Sequence, residues 1–181
     1  MIGFVGRVDR GQKGIQLIIE ALTQGFIKDV GFVFLGTGDP ELEQQLHQAA
    51  QDLDFCKIFT EYNEPLAAQI YAASDLVIIP SKYEPCGLVQ MIAMRYGSLP
   101  IARKTGGLAD TIIHDQDGFL FEEYSTSSFI KSIEHAISVI SQSEKKQSMV
   151  TAAMSKDFSW NKPALEYQHL YQQLLDSQNT H

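Results

Sequence analysis

The stretch Leu76-Val77-Ile78-Ile79-Pro80-Ser81-Lys82-Tyr83-Glu84-Pro85-Cys86-Gly87-Leu88 decides how this chain is read. Its four consecutive apolar residues lack the alternation of a half-exposed strand, so they describe a strand covered on both faces, as in parallel sheets. A proline, a polar run and a glycine follow, and then helical spacing resumes around Met91 and Ile92. Strand, polar loop and helix form the repeating unit of α/β domains.

The same unit recurs on either side. Further β-rich runs occupy Ile2 to Val8, Gly31 to Leu35, Lys57 to Phe59, Leu99 to Ala102 and Phe119 to Phe121. Between them apolar residues return at helical spacing: Ile15, Ile18, Ile19 and Leu22; Leu42, Leu46, Ala49 and Leu53; Ile130, Ile133, Ile137 and Ile140. Right-handed crossovers then predict an α/β fold, a single Rossmann-like domain over residues 1–181 whose parallel sheet of about six strands is covered by helices. From Ser125 the chain reads as a helical tail, and a last helix near Asn161 carries Tyr167, Leu170, Tyr171 and Leu174 as an apolar stripe with surface to bury. The chain opens inside what reads as a core strand, so further sequence upstream is expected.

Composition narrows the function. A formal net charge of -8 over 181 residues excludes a general nucleic-acid binder, which needs a basic face to displace counterions. No apolar run approaches a membrane span, and the start lacks the pattern of a signal peptide. Cys56 and Cys86 show neither CxxC spacing nor paired histidines, so a disulfide framework and a zinc site are not indicated, and a reducing compartment fits.

In sheets of this kind ligands bind beyond the carboxyl ends of the strands, which directs attention to the loops there. Gly6-Arg7-Val8-Asp9-Arg10-Gly11-Gln12-Lys13-Gly14 places a cation on each side of a glycine turn ahead of a helix. Arg7 offers a planar fork and Lys13 a point charge to a diphosphate, and a solvated turn with incidental cations is the competing reading. In Leu35-Gly36-Thr37-Gly38-Asp39-Pro40 helix capping accounts for Asp39 and Pro40, and any ligand contact falls to the backbone of Gly36 or Gly38. Glu84 is either a surface carboxylate or, at a strand end beside Gly87, a holder of a sugar hydroxyl next to amides that face an anion. Cys86 has no histidine nearby in sequence, which favours packing over nucleophilic chemistry. Arg103-Lys104-Thr105-Gly106-Gly107-Leu108-Ala109-Asp110 reads as a second phosphate or sugar cradle. Neither a GxxxxGK[ST] loop nor a GxGxxG fingerprint is present.

Taken together these segments resemble the retaining glycogen and starch synthases. The resemblance rests on Gln12-Lys13-Gly14, Leu35 to Leu42, Ile70-Tyr71-Ala72-Ala73-Ser74-Asp75, Glu84-Pro85-Cys86-Gly87-Leu88, Met94-Arg95-Tyr96-Gly97-Ser98-Leu99-Pro100, Arg103 to Asp110 and Asp157-Phe158-Ser159-Trp160, in order along almost the whole chain. It implies the C-terminal, donor-binding half of a two-domain GT-B enzyme that moves glucose from ADP-glucose to the non-reducing end of an α-1,4-glucan with retention, without a metal or other cofactor. The partner it implies is the N-terminal domain of the same enzyme, with no nucleic acid or membrane, in a cytoplasm or a plastid. Carried over position by position, Arg7 and Lys13 neutralise the diphosphate and Tyr62 packs against adenine. Glu84 meets the donor glucose, and Cys86, Gly87 and Leu88 form the turn around sugar and phosphates, with Gly36, Thr105 and Gly106 as further donor contacts. Three positions depart from the pattern. Arg7 and Lys13 lie one residue further apart than in the family, Ile92 stands where related transferases carry a second glutamate, and Val89 stands where threonine is frequent.

Overall fold

A computed structural model describes residues 1–25 and 30–178, apart from the side chains of Lys162, Ser177 and Gln178. Six strands form one sheet in the order β3-β2-β1-β4-β5-β6: β1 Ile2–Val5, β2 Phe32–Leu35, β3 Cys56–Phe59, β4 Leu76–Ile79, β5 Leu99–Arg103 and β6 Phe119–Phe121. Every pairing is parallel, with Ile2 opposite both Phe32 and Leu76 and with Ile78 opposite Ile101. Two strand series diverge from β1 and β4, and the switch between them opens a crevice at the carboxyl ends.

Local chemistry explains the elements. Helix α2, Pro40–Ala50, starts where the Asp39 carboxylate accepts the amides of Glu41 and Leu42 and proline occupies the first turn, as the capping pattern predicts. Helix α3, Glu64–Ala73, is capped by Asn63 through the Leu66 amide, and α6, Thr126–Ile140, by Ser125 through the Ser128 amide. Helix α4, Val89–Tyr96, ends on Gly97 in the left-handed conformation. The remaining helices are α1 Ile15–Thr23, α5 Gly106–Thr111, α7 Ser143–Ser155 and α8 Asn161–Gln178.

All four residues of β4 are buried, as their uninterrupted apolar run requires. On α1 the stripe Ile15, Ile18, Ile19 and Leu22 is buried throughout. Two other stripes are rotated. In α6 the inner face is Phe129, Ser132, Ile133 and Ala136, while Ile130, Ile137 and Ile140 flank the core. Ala50 rather than Ala49 completes the buried row of Leu42 and Leu46. Strand β1 stops at Val5 and not Val8, and Val8 instead forms an isolated parallel bridge to Gly38. The stripe on α8 does not become core, for Tyr167, Leu170, Tyr171 and Leu174 are all about half exposed or more.

Candidate functional site

The crevice between β1 and β4 is built by two loops that hold each other. The Lys82 amide donates to the Gln12 carbonyl at 2.7 Å. Gly14, with φ +70°, presses against the Pro80 carbonyl so closely that a Cβ would sit 2.0 Å from that oxygen. Any other residue here would drive the loops apart. The two sequence candidates 71 positions apart therefore meet: Lys13 Nζ donates to Glu84 Oε2 at 2.6 Å, with side-chain exposures of 18% and 8%.

Glu84 is held on all sides but one. Ser81 Oγ donates to the same Oε2 at 3.1 Å, and the Glu84 carbonyl accepts the Gly107 amide at 3.0 Å. Oε1 has no protein partner among the described residues, although the residue is only 6% exposed. A carboxylate oxygen left open at a strand's carboxyl end can accept a hydroxyl in exchange for water. Gly87, at φ +76°, then turns the chain into α4. That helix has no side-chain cap at Leu88, so its first amides are available to an anion. Cys86 is an exposed free thiol in this turn, and Leu88 is 67% exposed.

Arg7 and Lys13 take separate directions. Asp9 Oδ1 gathers the amides of Gly11, Gln12 and Lys13, so the loop closes on its own carboxylate rather than offering those amides to a phosphate. Arg7, 71% exposed, reaches Gln12 Oε1 at 3.0 Å and lines a neighbouring cavity, while Lys13 stays in the crevice. Arg10 turns outward to Asp39 at 2.6 Å and Glu41 at 2.5 Å, bracing the loop against the start of α2. This bracing holds the Asp39 carboxyl below its usual range.

The neighbouring cavity, about 240 Å³, lies beyond β1, β2 and β3, with Gly6, Leu35, Gly36, Tyr62 and Ala67 among its walls. Tyr62 is 80% exposed and its hydroxyl donates to Glu64, which raises the phenol's pKa. The resulting slot, apolar with a rigid aromatic at its mouth, has the character of a flat-ring site. Gly36 serves it by close approach, since a Cβ there would lie 2.0 Å from the Gly6 carbonyl oxygen. Its amide donates to the Phe59 carbonyl and the Gly38 amide to Glu43 Oε1, so of the backbone groups at these two glycines the N–H donors are already used.

The loop after β5 is a buttress more than a cradle. Arg103 donates to the carbonyls of Ser81, Lys82 and Glu122, and Lys104 pairs with Glu122 at 2.9 Å. Both cations that made this loop resemble a phosphate site already have partners. Thr105 caps α5 without a side-chain bond, and Gly106, at φ +44°, lets the helix touch the Glu84 carbonyl. Sequence reasoning missed Arg103 as the clamp on the loop carrying Glu84, and nothing short of its spatial neighbours reveals it. At the other end of the sheet, His114, Asp115 and His135 bring ligand-type atoms within 4.8 Å of one another. His114 Nδ1 accepts the Leu120 amide, however, which puts its proton on Nε2 and turns a donor, not a lone pair, toward Asp115.

The structure thus combines an open α/β sheet, a Lys–Glu pair at its switch point and an apolar slot beside it. Residues 1–138 match the family model described as glycosyl transferases group 1, and the chain belongs to that family. It is 40% identical over 177 residues to the glycogen synthase of Thermodesulfovibrio yellowstonii, covering 97% of this chain and 35% of that one. Its fold superposes with a TM-score of 0.85 and 39% identity on the catalytic domain of starch synthase IV from Arabidopsis thaliana bound to ADP and acarbose, covering 95% and 38% of the two chains. It superposes with a TM-score of 0.70 and 26% identity on Anabaena HepE in complex with UDP-glucose, covering 85% and 42%. The chain thus spans well under half the length of these relatives.

Proposed function

We propose that this chain is the donor-binding half of a glycogen or starch synthase, transferring glucose from ADP-glucose to the non-reducing end of an α-1,4-glucan with retention. The observation that carries this reading is the Lys13–Glu84 pair, which sets a cation and an open carboxylate oxygen together in the crevice. Glu84 Oε1 accepts a hydroxyl of the donor glucose. As the bond from the anomeric carbon to the diphosphate oxygen breaks, negative charge grows on the leaving ADP, and Lys13 and the amides of Gly87 and Leu88 meet it there. Arg7 approaches the diphosphate from the slot side, so the extra residue between the two cations places them on either flank. Adenine enters the slot against Tyr62. No metal takes part in this scheme.

The other half of the cleft belongs to an N-terminal domain. Relatives nearly three times as long and the exposed stripe of α8 support this partner. Closure of the two halves excludes water, so the chain by itself binds donor weakly and turns over little. Free Cys56 and Cys86 and the bacterial relatives support a cytoplasmic setting.

Titration with ADP and UDP, followed by NMR or calorimetry, tests the donor. ADP shifts the amides of the crevice and slot at millimolar concentration, and equal binding of UDP removes the adenine assignment and favours a UDP-sugar transferase like HepE. Fusion to the N-terminal domain of a close relative tests the chemistry. In that fusion Glu84→Gln lowers turnover into glycogen far more than donor affinity; near wild-type turnover would reduce Glu84 to a loop-fixing carboxylate, whereas an unmutated fusion that binds donor without turning over would leave a nucleotide-binding module without catalysis.

A further inference from the structure

Gln90 is a polar side chain with 0% exposure in the first turn of α4, directly beneath the turn at Gly87. Its Nε2 donates to the Cys86 carbonyl at 3.0 Å, to the Gly87 carbonyl at 2.9 Å and to Thr111 Oγ1 at 3.2 Å. Thr111 Oγ1 in turn donates to the Gly107 carbonyl at 2.6 Å, which makes the hydroxyl an acceptor toward Gln90. The amide is oriented unambiguously, since turning it over would face its oxygen toward two carbonyls. That orientation leaves Gln90 Oε1 buried without a partner. An apolar residue would fill the same volume without an orphan acceptor, so packing alone does not account for glutamine here.

What the amide holds explains it. All peptide bonds among the described residues are trans, so each carbonyl points opposite to the N–H of its own peptide unit. The Cys86 carbonyl shares its unit with the Gly87 N–H, and the Gly87 carbonyl shares its unit with the Leu88 N–H. Drawing both carbonyls inward turns both N–H groups outward. Gly87 is left-handed and Leu88 right-handed, at φ -108° and ψ -24°, the alternation that lines up successive amides around an anion. Neither amide has an acceptor among the described residues.

We propose that Gln90 is a positioning residue for the donor's diphosphate: by clamping the Cys86 and Gly87 carbonyls from within, it aims the Gly87 and Leu88 N–H groups at the anion. This rests on the donor-binding reading above. Gln90 touches no substrate. Its role is to keep two dipoles from relaxing toward the protein when the crevice is empty, so that binding requires no reorganisation.

Inorganic pyrophosphate and adenosine, titrated separately into the 181-residue chain and followed through backbone amide resonances, separate this role from a structural one. Wild-type protein responds to pyrophosphate at Gly87 and Leu88, and Gln90→Met weakens pyrophosphate about tenfold, the scale of losing aimed hydrogen bonds to a charged group, while adenosine binds as before. Should Gln90→Met fail to fold, Thr111→Val carries the test with a loss of about two- to threefold, because the amide keeps its carbonyl contacts but loses its anchor. A wild-type chain without response to pyrophosphate overturns the donor site itself. Wild-type binding that Gln90→Met, or Thr111→Val in its place, leaves unchanged, or weakens equally for adenosine, overturns the role of Gln90 alone.

Discussion

Two lysine–carboxylate pairs in this domain look alike and do different things. Lys13–Glu84 and Lys156–Asp117 are both 2.6 Å long, with side-chain exposures of 18% and 8% in the first and 22% and 2% in the second. Asp117, in the loop leading to β6, uses both oxygens: Oδ1 takes the Ile113 amide at 2.8 Å and Oδ2 takes Lys156. Lys156 also donates to the Thr111 carbonyl at 2.6 Å, tying the end of α7 to the loop after α5. Glu84 directs Oε2 at both Lys13 and Ser81 and leaves Oε1 open. Full satisfaction makes a staple, and an open valence at the carboxyl ends of the strands leaves room for a ligand.

The largest effect that could break this comparison is on stability. Lys156→Met strands a carboxylate that is 2% exposed, and unfolding free energy falls by about 3–5 kcal/mol, a drop in Tm of roughly 10 °C for a domain of this size. ADP affinity of the folded variant is unchanged. Calorimetry with a parallel titration checks both, and a Tm within 2–3 °C of wild type, roughly a 1 kcal/mol effect, would remove the staple reading.

Lys13→Ala reverses the pattern. ADP binding weakens by about tenfold or more, as expected on losing a sheltered cation from a diphosphate, while Tm falls less than for Lys156→Met because water can reach Glu84 from its open side. Calorimetric titration measures the ratio, and a larger loss of stability than of affinity would make the first pair a staple as well.

The thiols sharpen the contrast with a smaller signal. Burial pushes Cys56 up to about 11, and it is 6% exposed, so at pH 8 it stays thiol and unreactive. Exposed Cys86 is alkylated by iodoacetamide, and saturating ADP slows the reaction several-fold; peptide mass spectrometry over time reads both rates. Alkylation indifferent to ADP would move the diphosphate away from the turn.

Smallest of all is Lys104→Ala. Its hydrogen bond to Glu122 lowers that carboxyl's pKa, so whatever stability the pair supplies is present above the usual glutamate pKa and fades as pH falls through the lowered value. Both groups are more than half exposed, and solvent screening leaves Tm and ADP affinity at neutral pH within error of wild type. A measurable loss of ADP binding in this variant would restore the loop after β5 as a phosphate cradle.

Much of this molecule was legible in its residues. Uninterrupted Leu76-Val77-Ile78-Ile79 announces a doubly buried strand because the sheet has helices on both faces, and the stripe on α1 announces its buried side because isoleucine and leucine have nowhere else to go. Glu84 and Lys13 were visible as candidates, whereas the close approaches at Gly14 and Gly36 were not. The rotation of α6 was not, since periodicity weighs residue type and ignores the space that Ala136 and Ser132 leave free.

Residue order by itself determined the alternation of strand and helix, the cap at Asp39, and the motifs that carry the family resemblance, because each depends on neighbours within a few positions. Only the tertiary structure decided which charges were already matched. Lys13, Arg103 and Lys104 each bring a cation to a strand end; the fold gives Arg103 three carbonyls and Lys104 a surface glutamate, and turns Lys13 toward a carboxylate with one oxygen still open. A side chain's donors and acceptors are counted in the sequence, but their partners lie tens of residues away, and a site is defined by the valences those partners leave unfilled.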